Sequence, residues 1–251
     1  MRQAIMATVI NMTNALQGKF ALVTGVSQAG QIGQIVAQAL ADEGASLAIA
    51  ARTRANVEAR GEELRSRGVR VLALTTDLTR EGDVGESVDQ VIREYGKIDI
   101  LVNLAGGLTR YKPAVEHSVD DWQHEIGNNL LSAFLCSRAV FPRMRDGGGG
   151  SIINFARAGL PQANMIAYNC AKAGIEALTR TFALEGRDVG IRVNAVAPGL
   201  VDTASNIAAM KPTDLNRWTK RDDIAQAVVF LACDASAGIT GQVLQVTGWG
   251  I

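Results

Sequence analysis

The chain of 251 residues is 47% hydrophobic and 20% charged, enough apolar material for one large core and too much for a disordered chain. Its 25 Lys and Arg balance 25 Asp and Glu, so there is no broad basic field to neutralise phosphates, which excludes nucleic acid and an anionic membrane as expected partners. Cys136, Cys170 and Cys233 form neither a CxxC pair nor a Cys/His cluster, which argues against a disulfide framework or a metal site and for a reducing, cytoplasmic setting.

Residues 1–15 carry a single basic residue, Arg2, and no apolar block of signal-peptide or membrane-spanning length. They are expected to be an N-terminal extension to one domain spanning residues 16–251. From there, short aliphatic runs alternate with longer amphipathic stretches, the pattern of an α/β protein on a parallel sheet. Seven strands are expected, at 20–24, 46–51, 70–75, 98–103, 151–155, 192–197 and 242–246. Their apolar runs are nearly continuous, as burial by helices on both faces of a sheet requires.

The first strand runs into Gly25-Val-Ser-Gln-Ala-Gly30-Gln-Ile-Gly33 and then an apolar-periodic helix. Glycine lets backbone approach a phosphate, and a helix N-terminus offers free N–H groups and a positive dipole end, so the unit is suited to a pyrophosphate. The G-x4-G-x2-G spacing differs from the G-x-G-x-x-G fingerprint, and an ordinary glycine turn is the alternative. The second strand ends Ala51-Arg52-Thr53-Arg54, with guanidinium groups where an acidic residue would hold the ribose hydroxyls of NAD. NADP(H) is therefore expected in preference to NAD(H), the alternative being that Arg52 and Arg54 are merely solvated.

Further on, Ser118-Val-Asp-Asp121 is a capping box that opens a long helix through Met144, and Gly147 to Gly150 read as a surface loop ending that unit. Tyr168 and Lys172 are spaced i, i+4 at the start of another helical stretch, which places them on one face. An ammonium beside a phenol favours the phenolate, so this pair is expected to lower the Tyr168 pKa toward neutrality and to donate and accept protons.

With Asp77-Leu78 after the third strand, Asn103-Leu-Ala-Gly106, Asn129 in Asn-Leu-Leu-Ser-Ala-Phe, and Pro198-Gly199-Leu-Val-Asp-Thr203, these motifs follow one another in the order of the short-chain dehydrogenase/reductase family. The sequence resembles that family from about Leu16 onward, and in LQGKFALVTG, IRVNAVAPG and ITGQVLQV it is similar to the β-ketoacyl-(acyl carrier protein) reductases. The resemblance implies a single doubly wound Rossmann-type domain, with a mainly parallel seven-stranded sheet, that transfers hydride between a nicotinamide and a carbonyl or alcohol. The substrate would be a small molecule or an acyl thioester. Tyr168 would be the acid/base, Lys172 would grip the nicotinamide ribose, and Asn129 would hold a water of the proton relay. Gly25, Ser27, Gln31, Ile32 and Gly33 would surround the pyrophosphate, with Arg52, Asp77 and Leu78 at the adenosine end. Asn103, Ala105, Gly106, Pro198, Gly199, Val201 and Thr203 would line the remainder, the last two fixing the carboxamide. Residues 203–220 would form the substrate lid.

Four departures stand out. The glycine turn is two residues longer than TGxxxGxG, Leu104 replaces the second Asn of the family's Asn-Asn-Ala-Gly, and Thr247 takes an Asp position. Most consequential, Arg157 stands where the family has the Ser that bonds the substrate carbonyl. Arg157 either replaces that donor or binds a substrate carboxylate, or it faces solvent at a weakened site. The solvent-facing case leaves a different reading, a catalytically weak dinucleotide-binding homologue with a regulatory or assembly role. Apolar surface on the helices 121–144 and 168–185 points to a homotetramer, with the last strand, ending at Trp249-Gly-Ile251, joining a second interface.

Overall fold

Parallel strands have to be joined by crossovers, and here nearly every crossover is a helix. The structure, a computed structural model, describes residues 14–249. In chain order it comprises β1 (Phe20–Thr24), α1 (Ile32–Asp42), β2 (Ser46–Ala51), α2 (Arg54–Ser66), β3 (Val71–Thr75), α3 (Glu81–Tyr95), β4 (Ile100–Asn103), α4 (Val119–Ile126), α5 (Ser132–Asp146), β5 (Gly150–Phe155), α6 (Ile166–Gly186), β6 (Ile191–Pro198), α7 (Ala204–Met210), α8 (Arg221–Ala232) and β7 (Val243–Val246). The sheet order is β3-β2-β1-β4-β5-β6-β7, and every pair is parallel.

Alternate strand residues feed two different cores, which explains why the runs are apolar throughout. Ala21, Val23, Ile49, Val102 and Ile153 pack with Val36 and Leu40 of α1 and Ile224 and Val228 of α8. Their neighbours Leu22, Ala48, Leu101 and Ile152 pack on the opposite face with Val88 and Val91 of α3 and Val140 and Met144 of α5. All seven expected strands are present, with ends moved by a residue or two. β4 begins at Ile100, and the Asp99 carboxylate just ahead of it accepts the Phe20 N–H (2.8 Å). β7 ends at Val246 and does not reach Trp249, which is exposed, while Gly250 and Ile251 lie outside the described residues.

The domain edge near residue 16 has a physical marker, since Leu16 is fully buried and its N–H donates to Glu43 O (2.9 Å). Most of the expected extension, residues 1–13, lies outside the described residues. Ser118 Oγ accepts the Asp121 N–H (3.1 Å) and Asp121 accepts the Ser118 N–H (3.1 Å), so the capping box forms as expected. The helix it opens is not uniform, however. A π-helical turn, Gly127–Leu131, separates α4 from α5. Among the described residues, no helix is long and apolar enough to cross a membrane.

Candidate active site

Crossovers run to opposite sides from β1 and β4, so the crevice between them opens at the C-terminal ends of the strands, where ligands of doubly wound sheets bind. Gly25 closes β1 with φ +78°, and a Cβ there would stand 2.8 Å from the Ala105 backbone. A Cβ on Gly33 would lie 2.5 Å from Gly25 O, so only glycine lets the first turn of α1 come this close to the end of β1. Thr24 Oγ1 accepts N–H groups from Leu104 (3.1 Å) and Ala105 (3.2 Å), and this ties β4 to the same turn ahead of Gly106. Gln31 is the N-cap of α1 without a side-chain cap, so the leading N–H groups from Ile32 onward have no capping side chain.

The extra length of the glycine turn is used for contacts no sequence spacing reveals. Gly30 O accepts the Ala204 N–H (3.1 Å) and Arg221 Nη1 (2.8 Å), and Gln31 Oε1 accepts the Ser205 hydroxyl (3.2 Å). The turn is thereby fastened to α7. Ser27 Oγ accepts Asn56 Nδ2 (3.1 Å), which joins the turn to α2.

At the end expected to face adenosine, Arg52 is exposed just beyond the buried Ala51 and has no ion-pair partner among the described residues. Its charge reaches Asp77, whose carboxyl is held below its usual value first by the Thr79 hydroxyl (2.7 Å), against the opposing effect of burial. Leu78 is buried beside it. The Asn103 side chain turns into the core, donating to Ser137 Oγ and Asn154 Oδ1 (both 2.9 Å), so it offers the crevice only its backbone. Beyond Pro198, Gly199 N–H donates to Val246 O (2.9 Å) and Val201 bridges to Thr219. Thr203 caps α7, its Oγ1 accepting the Asn206 N–H (3.2 Å), while Asn206 Nδ2 donates to Val201 O (2.9 Å).

The residues expected to handle protons come from two helices and the turn between α4 and α5. Lys172 is buried, its Nζ donating to Phe155 O (2.8 Å) and lying 5.6 Å from the centroid of the Tyr168 ring. Asn129 sits in the π-helical turn. Its Nδ2 donates to Gly107 O and Glu125 O (both 3.0 Å), and its Oδ1 accepts the Gly107 N–H (2.8 Å). Glu125, which the sequence reading missed, is fully buried beside it. One carboxylate oxygen accepts the N–H groups of Thr109 (2.7 Å) and Arg110 (2.8 Å) and the Thr109 hydroxyl, and the other accepts Asn129 Nδ2 (3.2 Å). The available signal was an acid one helical turn ahead of Asn129, on the same face.

Burial lowers the Lys172 pKa to about 8, against the opposing pull of the Glu125 charge. Burial also raises the Tyr168 pKa, so the expected lowering by Lys172 is not what the structure displays. The positive charge that opposes burial at the phenol is that of Arg157, and Glu125 adds to the rise. Lys172 meanwhile directs its ammonium at Phe155 O. Arg157 is half-buried just past β5, on backbone zipped to β6 by Ala156 N–H to Val196 O (2.9 Å) and Ala158 N–H to Pro198 O (3.0 Å). Its Nη1 donates to Leu160 O (2.7 Å), and it pairs with no carboxylate among the described residues.

The family model described as enoyl-(acyl carrier protein) reductase matches residues 25–248. A short chain dehydrogenase/reductase of Aspergillus oryzae is 38% identical over 248 residues, covering 92% of this chain and 94% of that protein. A 3-oxoacyl-[acyl-carrier-protein] reductase of Staphylococcus epidermidis is 36% identical over 244 residues, covering 92% of this chain and 98% of the relative. Among solved structures, an NAD+-bound xylitol dehydrogenase superposes with a TM-score of 0.85 at 32% identity, over 93% of this chain and 99% of that one.

Proposed function

This chain belongs to the short-chain dehydrogenase/reductase family, and on that premise we propose that it is an NADP(H)-dependent oxidoreductase acting on the carbonyl or alcohol of a small molecule or acyl thioester. The observation that carries this reading is that Tyr168 and Lys172 share one face of α6, the ammonium 5.6 Å from the centroid of the phenol ring, and that α6 packs on the π-helical turn that holds Asn129 against Gly107. The uncapped start of α1 and the close-packed Gly25 and Gly33 fit a pyrophosphate, and Arg52 and Asp77 fit the adenosine end. A bound nicotinamide dinucleotide supplies the hydride. Tyr168 passes a proton to or from the substrate oxygen, the positive charge that bears on its phenol is that of Arg157, and Lys172, one helical turn along, would grip the ribose. Asn129 fixes the relay wall at Gly107. Thr203 and Val201 would hold the carboxamide, and residues 203–220 would cover the substrate. The similarity to the staphylococcal 3-oxoacyl reductase supports a thioester substrate.

Reduction of a simple β-keto ester, followed by nicotinamide absorbance, tests the activity. NADPH is expected to bind more tightly than NADH, and Arg52→Ala to weaken NADPH far more than NADH, because a phosphate loses a guanidinium while a hydroxyl loses little. Equal titrations of the two cofactors in both proteins would reverse the assignment. A homotetramer is the accompanying expectation. It rests on Leu131, Leu184 and the Phe134–Phe182 face of α5 and α6, which remain partly exposed, and sedimentation as a concentration-independent monomer would reject it.

A further inference from the structure

Among the described residues, Glu125 is the one buried carboxylate and Lys172 the one buried ammonium. A charge removed from water is tolerated only when hydrogen-bonded and compensated. The hydrogen bonds of Glu125 are accounted for by Thr109, Arg110 and Asn129. Its compensation does not come from nearby cations on its own side of the crevice. Arg110 turns its guanidinium to Asp121 (3.0 Å), Lys112 pairs with Asp121 as well, and the His124 ring bonds Asn128. The cation that faces it from the element packed against α4 is Lys172 on α6, while Arg157 on the β5–α6 connection bears on Tyr168.

We propose that Glu125 is a positioning residue of the proton-transfer site: its carboxylate is the counter-charge of Lys172 and the anchor that fixes Asn129 to the Gly107–Arg110 wall of the crevice. The two charges make no direct ion pair and act on each other through space across the α4–α6 contact. Burial is the larger influence on both Lys172 and Tyr168, and the charge of Glu125 favours the protonated form of each, so it shifts the pH range in which the pair works. This inference rests on reading Tyr168 and Lys172 as the proton-transfer pair, and its test has one arm that does not depend on turnover.

That arm is a double-mutant cycle in denaturant-induced unfolding with Glu125→Gln, Lys172→Met and the double variant. Each single change strands a buried charge, whereas the double change removes both. The double variant is therefore expected to be at least as stable as Glu125→Gln alone. Additive losses, or a double variant less stable than Glu125→Gln, overturn the counter-charge; if Glu125→Gln does not fold, a double variant that folds supports the counter-charge and one that also fails to fold overturns it. In the second arm, Glu125→Gln is expected to lower turnover roughly ten- to hundredfold with NADPH affinity preserved, and to move the alkaline loss of activity to lower pH, because Lys172 gives up its proton sooner. A pH profile that coincides with the wild type reduces Glu125 to a structural clamp and sinks the proposal. If the unaltered protein reduces no ketone with either cofactor, the functional reading fails, and the cycle still decides whether the two charges are coupled.

Discussion

Replacing Tyr168 with Phe is expected to lower turnover by roughly a hundred- to ten-thousandfold, the usual worth of a positioned acid/base, while NADPH titrates as in the unaltered protein. The two properties separate because they reside on different elements. The glycine turn and the rim formed by Arg52 and Asp77 lie at the ends of β1, β2 and β3, whereas Tyr168 enters from α6. Loss of the hydroxyl leaves the ring beside Lys172 and removes no hydrogen bond that holds the crevice together, since Lys172 Nζ donates to Phe155 O rather than to the phenol. Turnover measured side by side with equilibrium cofactor binding checks the result. An unchanged rate would remove Tyr168 from the mechanism and with it the proposed chemistry.

Arg157 is the second position where a large effect is expected. With no carboxylate partner among the described residues, its charge bears on Tyr168, and its backbone is locked to β6. A guanidinium fixed there is placed to donate to a developing oxyanion. Arg157→Ala should then lower turnover by roughly a hundred- to a thousandfold, and Arg157→Ser should recover none of it. The pH dependence carries a sign of its own. Arg157 lowers the Tyr168 pKa, so its removal raises that pKa further. In the alcohol-oxidising direction, where the phenolate accepts the proton, the pH at which activity rises moves upward. An Arg157→Ser protein faster than the unaltered one would show that the arginine obstructs a site built for a hydroxyl.

These residues were not equally legible in the sequence. The strands could be read because burial on both faces makes each one apolar from end to end, and the Tyr168/Lys172 pair because one helical turn guarantees a shared face. Glu125 acquires its meaning only when the connection after β4 folds back to present Thr109 and Arg110, a contact made sixteen and fifteen residues away. The use of the longer glycine turn was hidden for the same reason, because the donors to Gly30 O are Ala204 and Arg221, far along the chain. The raised Tyr168 pKa escaped a reading that counted charges and could not count burial.

The interruption between α4 and α5 eluded periodicity because Ile126, Leu130 and Phe134 still recur at nearly helical intervals through it. Its consequence is one of phase. A π-helical turn holds one residue more than the α-ladder needs, which offsets the two flanking helices by about 100°. That offset lets α4 aim Glu125 at Thr109, Arg110 and Asn129 while α5 lays Cys136, Val140 and Met144 against the sheet. Deleting any single residue between 127 and 131 would leave a continuous, well-bonded rod with α5 still seated on the sheet, and would swing the carboxylate away from the crevice. Around Asn129 the spacing of this stretch therefore matters more than the identity of its leucines, so the segment is expected to tolerate conservative exchange of Leu130 or Leu131 far better than the loss of either.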